Sequence, residues 1–145
     1  MNMINEMKLE FLSRSANEAL ARCAASQFAA QLDPTLEELG DIKTAVSEAV
    51  TNAVVHAYPD KLGTVHLRAR ILEGGVLEMT VRDKGAGIED VDRARAPLYT
   101  TGGEERSGMG FTIMESFMDT LKVRSAPGRG TTVVMRKRVM PRLLR

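Results

Sequence analysis

Between Thr44 and Ala57 the chain reads TAVSEAVTNAVVHA, and this stretch limits the possible folds more than any other. Ile42, Val46, Ala49, Val50, Ala53, Val54 and Ala57 recur at intervals of three and four, which predicts an amphipathic helix with a broad apolar face. Such a helix must bury that face against a second layer of structure. Glu48, Asn52 and His56 succeed one another at four-residue steps, so a carboxylate, a carboxamide and an imidazole share one side of it. A carboxylate can take up a proton, and a carboxamide oxygen is a hard ligand suited to Mg²⁺. Glu-x-x-x-Asn is a common spacing, and its weight here comes from the glycine pairs further along the chain.

Those pairs are three, each of the form Gly-x-Gly: Asp83-Lys84-Gly85-Ala86-Gly87, Gly108-Met109-Gly110 and Gly128-Arg129-Gly130. Glycine lets the backbone take unusual dihedrals and approach a ligand closely. None of the pairs extends to Gly-x-Gly-x-x-Gly, and there is no Gly-x-x-x-x-Gly-Lys-Ser/Thr, so neither the dinucleotide fingerprint nor the P-loop is present. Gly108 and Gly110 are placed where a long loop enters a helix, whose first amides lack internal partners and suit phosphate. Asp83 closes a strand just before Gly85, where an acceptor could take a hydrogen bond from an exocyclic amine such as that of adenine. The set reads as a nucleotide site.

The remaining pattern predicts an α+β two-layer sandwich, with helices on one face of a mainly antiparallel sheet. Lys8 to Ser13 reads as a short strand. Ser15-Ala-Asn-Glu18 has the form of a capping box opening a helix to about Leu32, with Leu20, Cys23, Ala24, Gln27, Phe28 and Leu32 on its buried side. Asp33 and Pro34 start the next helix, which runs to about Ala57. Thr64–Leu72 and Val76–Asp83 alternate apolar and polar residues about a Glu73-Gly74-Gly75 turn, with Val65, Leu67, Ala69, Ile71, Leu77, Met79 and Val81 directed inward. Regular periodicity fails from Gly85 to Gly108, apart from a helical turn near Asp90 to Ala94, and a loop of that length in a small domain is usually functional. A helix from Gly110 to Thr120 and a hairpin of Leu121–Ser125 with Thr131–Arg138 complete the chain. Residues 1–138 form one domain. Val139 to Arg145 is a basic tail expected to be disordered.

Composition excludes several classes. The 145 residues suffice for a core. The absence of tryptophan and an aromatic share of 4% disfavour base stacking, so no direct nucleic-acid contact is expected. No run approaches the roughly 18 apolar residues of a membrane span, and the N-terminus lacks the layout of a secretion signal. The lone Cys23 excludes an internal disulfide, fits a reducing cytoplasm and is expected to be buried. Residues 120–145 hold eight basic side chains and no acidic one, consistent with a solvated edge strand whose charges discourage aggregation.

The ordered set Glu48-x-x-x-Asn52, Asp83-x-Gly85-x-Gly87, Gly108-x-Gly110 and Gly128-x-Gly130-Thr131-Thr132 resembles the Bergerat ATP-binding fold of gyrase B, MutL and the histidine kinases. Within that superfamily, SEAVTNAVVHAY, ERSGMGFTIMESFMD and FLSRSANEALAR resemble the bacterial anti-sigma factor serine kinases, most of all their sporulation branch. The resemblance covers nearly the whole chain. It implies ATP or ADP with Mg²⁺ as cofactors, Glu48 as general base toward a substrate serine, and Asn52 as the metal ligand. It implies Asp83 on the adenine amine, with Gly85, Gly87, Ile88 and Thr131 around the base. It implies a lid over Pro97 to Gly110, in which Arg106 reaches the terminal phosphate and Thr101, Ser107, Gly108, Met109 and Gly110 contact the nucleotide. Arg22 matches a partner-binding position. His56 is open between a nucleotide contact and a structural role. The implied partners are a sigma factor of the sigma F type and an anti-anti-sigma protein, which is both substrate and antagonist, and the chain would be a homodimer. The lid reads TTGGEERSG, richer in glycine than its relatives, which raises the entropic cost of ordering it. Alternatives are a stress-response anti-sigma kinase, a nucleotide-sensing module without kinase activity, and a detached histidine-kinase catalytic domain. The last would need a phosphoacceptor hairpin that this chain lacks.

Overall fold

The computed structural model describes residues 1–96 and 105–140, and of residues 105–108 the backbone alone. Five strands, β1 (Met3–Leu12), β2 (Thr64–Leu72), β3 (Val76–Asp83), β4 (Thr120–Ala126) and β5 (Gly130–Arg138), form one sheet in the order β1-β2-β3-β5-β4. Every neighbouring pair is antiparallel. The alternation in β2 and β3 buries Val65, Leu67, Ala69, Ile71, Leu77, Met79 and Val81, as the pattern predicts. Gly74 and Gly75 turn the hairpin with φ of 87° and 78°, a left-handed pair that suits glycine.

β1 starts five residues before the predicted strand. Met3 and Ile4 are exposed on an edge, so burial leaves no alternation there to read. The basic C-terminal stretch also differs from expectation. β5 lies inside the sheet, and only Lys122 and Arg124 of β4 sit on an edge. Val139 is 2% exposed and donates its amide to Gly75 O at 2.9 Å, so it belongs to the fold and not to a disordered tail.

The helices are α1 (Ala16–Ala29, continued by a 3₁₀ turn Ala30–Leu32), α2 (Leu36–Asn52, continued by a π turn Ala53–Ala57), α3 (Val91–Arg95) and α4 (Glu105–Phe117). The capping box belongs to α2 and not to α1. Glu38 N donates to Thr35 Oγ1 (3.1 Å) and Thr35 N to Glu38 Oε1 (2.8 Å), whereas Ser15 makes no side-chain cap and Glu18 pairs with Arg22 at 3.2 Å. Asp33 does not cap α2. It takes a left-handed φ of 53° and closes the 3₁₀ turn. The buried face of α1 is rotated from the predicted one: Ala21, Ala25, Phe28 and Ala29 are buried, while Leu20, Cys23 and Gln27 are not. The reason is the neighbour. α1 packs on α2, and alanines let two helices approach closely, so the small face wins over the larger apolar one.

Ile42, Val46 and Val50 of α2 are fully buried in one cluster with Leu67, Leu77, Met79 and Met135 of the sheet. Each such side chain stabilises the fold by about 1.5–3 kcal/mol. α2 is therefore fixed against the middle strands, and its polar side is held in a set orientation at the sheet's end. On the opposite sheet face Glu78, 3% exposed, is gripped by Arg70 (Nε 2.9 Å) and Arg136 (Nε 2.8 Å).

Candidate nucleotide site

The end of α2, the end of β3 and the start of β5 enclose a cavity of about 790 Å³. That is within the usual range for small-molecule sites. Ala49, Asn52, Ala53 and His56 line one side, Asp83 and Thr131 the end, and the Gly87–Ala94 segment the other side. His56 reaches the wall from the π turn, a helical irregularity found mostly at functional sites.

Asp83 is 6% exposed. Burial pushes its carboxyl up from the ordinary carboxylate range, and the amides of Gly85 and Thr131 oppose this by donating to Oδ1 at 3.0 and 3.2 Å. Both bonds use one oxygen, which leaves Oδ2 for a ligand. Thr131 is the cross-strand partner of Asp83, so sheet register sets the two side by side.

The glycines have a use that spacing does not reveal. A Cβ on Gly85 would lie 2.2 Å from Ala57 O, because Ala86 N donates to that same carbonyl at 2.9 Å. A Cβ on Gly87 would meet Ala126 O at 2.0 Å, and one on Gly130 would meet Asp83 O at 2.1 Å. The motif therefore joins three backbones, those of the π turn, the β3 end and the β4–β5 turn, where no side chain fits. Ile88 comes next, its amide donating to Ser125 Oγ at 2.7 Å.

Gly110 brings α4 onto α2. A methyl there would stand 3.3 Å from both terminal atoms of Asn52 and 3.5 Å from Glu48 Oε2, so the predicted base and metal ligand meet at one crossing. Glu48 is not among the residues lining the cavity, although Ala49 and Asn52 are. α4 begins at Glu105, so Gly108 lies in its first turn and Gly110 inside the helix, not at its opening amides. Met109 is exposed. Thr101 lies outside the described residues, and the side chains of Arg106 and Ser107 are likewise outside them. Arg22 is not among the residues lining this cavity; it is half-buried on α1 and paired with Glu18.

Two further contributors have no signal in the sequence. Ser125 bonds Ile88 N, Gly130 O and Thr131 Oγ1. Tyr58 packs its ring on Gly63, accepts from Lys84 N (2.7 Å) and donates to Thr64 O (3.0 Å), bracing the strand end beside Asp83. A lone serine in a strand and a tyrosine before a proline fit no motif of fixed spacing.

The donor set fits a nucleotide with Mg²⁺. A carboxamide and a carboxylate lie beside a cavity that has an acidic acceptor at its far end. Among the described residues no group of three or more His, Cys, Asp or Glu is placed to hold a metal ion. That is compatible with Mg²⁺, which commonly takes one or two protein ligands and completes its shell with phosphates and water.

Comparison with known proteins agrees. The histidine kinase-like ATPase domain matches residues 11–137. The chain is 58% identical over 134 residues to an anti-sigma F factor of Caldanaerobacter subterraneus, covering 92% of this chain and 93% of that one. It is 58% identical over 139 residues to an anti-sigma F factor of Halalkalibacterium halodurans, covering 93% of each. Among solved structures, the RsbU and RsbW domains of Rv1364c from Mycobacterium tuberculosis superpose with a TM-score of 0.68 at 18% identity, over 94% of this chain and 32% of that one. A blue-light activated histidine kinase of Erythrobacter litoralis superposes with a TM-score of 0.59 at 27% identity, over 81% of this chain and 40% of that one. Among the described residues no helix is long and apolar enough to cross a membrane.

Proposed function

Because the chain belongs to the histidine kinase-like ATPase family, among the anti-sigma F factors, we propose that it binds and silences a sigma factor of the sigma F type and phosphorylates a serine of an anti-anti-sigma protein. The observation that carries the kinase half is the crossing at Gly110, where Glu48 and Asn52 stand together beside the cavity. A protein that only sensed nucleotide would need no carboxylate there.

Asn52 would hold Mg²⁺, which when bound with ATP neutralises phosphate charge. Asp83 and Thr131 would orient the base, and His56 lines the wall between them and Asn52. Glu48 would accept the proton of the attacking serine hydroxyl as its oxygen bonds to the terminal phosphorus and the bond to the ADP oxygen breaks. The site mostly positions groups, as phosphoryl transfer requires. The lid roles of Arg106, Thr101 and Ser107 and the homodimer belong to the same reading. Arg22, half-buried on α1 and paired with Glu18, would supply a cation for the partners.

The test is incubation with ATP, Mg²⁺ and the anti-anti-sigma protein, read by intact mass. A gain of about 80 Da on the partner, one phosphoryl group, is expected. Asn52→Ala should weaken Mg-ATP binding. Glu48→Gln should leave binding largely intact and abolish the mass gain, and normal turnover by that variant would remove Glu48 from the role of base. Arg22→Glu should release both partners without unfolding the domain, and unchanged pull-down of both would refute its placement.

A further inference from the structure

We propose that Ser125, a residue that touches no ligand in this reading, sets which purine the cavity accepts by fixing the hydrogen of the Thr131 hydroxyl. This role rests on the nucleotide reading of the cavity and extends it.

Two hydroxyl hydrogens must be shared among the contacts of Ser125. Its Oγ has three partners: Ile88 N at 2.7 Å, Gly130 O at 3.0 Å and Thr131 Oγ1 at 2.8 Å. Ile88 N is a donor, so Ser125 accepts from it. Gly130 O is an acceptor, so the single hydroxyl hydrogen of Ser125 goes there. The contact with Thr131 then closes only if Thr131 donates its own hydrogen to Ser125. This is the one assignment that satisfies all three contacts. Thr131 lines the cavity, and with its hydrogen turned toward Ser125 it can offer a ligand only lone pairs.

Its neighbour is of the same kind. Asp83 Oδ1 is taken by the amides of Gly85 and Thr131, and Oδ2 is again an acceptor. Asp83 and Thr131 thus present two adjacent acceptors to the cavity, which apolar Ile88, Val81 and Val133 also line. Their complement is a base edge with an amine. A base with a carbonyl at the same place also carries a hydrogen on N1, which Asp83 can accept, but its carbonyl then faces the lone pairs of the Thr131 oxygen, and an unpaired buried polar group is costly. Asp83 alone would accept either edge. Ser125 denies Thr131 the rotation that would rescue the carbonyl.

The test compares ATP with ITP, which replaces the 6-amino group by a carbonyl and places a hydrogen on N1, by calorimetric titration with Mg²⁺ present. The wild type should prefer ATP. Ser125→Ala removes the acceptor for the Thr131 hydrogen and frees it to turn toward the carbonyl. The preference for ATP over ITP should fall by about tenfold, chiefly through tighter ITP binding. Ser125→Thr keeps the hydroxyl and should hold the wild-type ratio. In a Thr131→Val background Ser125→Ala should change the ratio no further. An unchanged ratio in folded Ser125→Ala, or an equal change in the Thr131→Val background, overturns the proposal. A merely structural Ser125 would lower both affinities together and leave their ratio alone, which also overturns it. A measurement on the wild type guards against a variant that fails to fold: proton NMR should show a slowly exchanging Thr131 hydroxyl close to the Ser125 β-protons, and its absence counts against the assignment. A wild type that binds neither nucleotide sinks the functional reading itself. Binding of ATP with a ratio indifferent to Ser125 sinks only this role.

Discussion

Gly110→Ala should make this protein more stable and a poorer nucleotide binder. Gly110 lies within α4, where alanine is favoured over glycine by about 0.8–1.0 kcal/mol. For a chain of this size that corresponds to a rise of about 2–4 °C in Tm. The added methyl lands 3.3 Å from both Asn52 Oδ1 and Nδ2, tighter than an ordinary contact, and 3.5 Å from Glu48 Oε2, which is ordinary. Asn52 must yield by a few tenths of an ångström, while Glu48 can stay. Since a displacement of about 1 Å near the reacting groups can cost about 10²-fold in rate, a third of that predicts a loss of about fivefold in phosphotransfer. Mg-ATP affinity should fall as well, because it needs the same Asn52 position. Differential scanning calorimetry and isothermal titration of Mg-ATP give stability and affinity on one sample, and the intact-mass assay gives turnover. A variant with unaltered Mg-ATP affinity would show that α4 does not cross α2 on the Glu48–Asn52 pair, and one that melts several degrees lower would show that Asn52 cannot give way to the methyl.

Gly85→Ala should lower stability and binding together, because its Cβ would lie 2.2 Å from Ala57 O, a backbone atom that cannot swing aside. The overpacking cost is about 1–3 kcal/mol, so thermal denaturation should show a Tm lower by several degrees, with ATP binding weakened as the Asp83 end shifts. Thr35→Ala removes the acceptor of the α2 capping box and should cost about 1 kcal/mol in urea denaturation, whereas Ser15→Ala should cost almost nothing. Burial alone would raise the carboxyl of Glu78, but its hydrogen bonds and charge contacts with Arg70 and Arg136 outweigh that and hold it below its ordinary value of 4.5. Its contribution to stability is therefore complete above that value and is lost as pH falls through the folded one. The stability gap between wild type and Glu78→Gln should be flat near neutrality and close on acidification, and a gap that widens in acid would reverse the assignment.

The parts of the fold legible in the sequence are those where burial alternates along an element. β2, β3 and α2 each have a buried side and a wet side, and Val65 to Val81 and Ile42 to Val50 carry the imprint directly. α1 misleads because two apolar faces compete on it. Periodicity favours Leu20 and Cys23 for their size, but contact with α2 selects alanines, and no one-dimensional pattern contains the distance between two helices. The α2 cap is ambiguous for a related reason. Asp33-Pro34 and Thr35-x-x-Glu38 are both valid starts, and only the left-handed turn at Asp33 decides between them.

The candidate site shows the same division more sharply. Residues that bear chemistry stand out by type, and Glu48, Asn52 and Asp83 gain their weight from the glycine pairs that accompany them. What holds them at their positions is backbone against backbone. Gly85, Gly87 and Gly130 admit Ala57 O, Ala126 O and Asp83 O to places where a Cβ would collide, and the segments they join are far apart in the chain. The sequence suggests glycines that make room for a nucleotide. The geometry shows that these three first make room for the protein's own main chain, at the strand end that carries Asp83. A substitution at any of them should thus be felt in stability and in binding together. Gly110, facing side chains instead of carbonyls, is placed to separate the two.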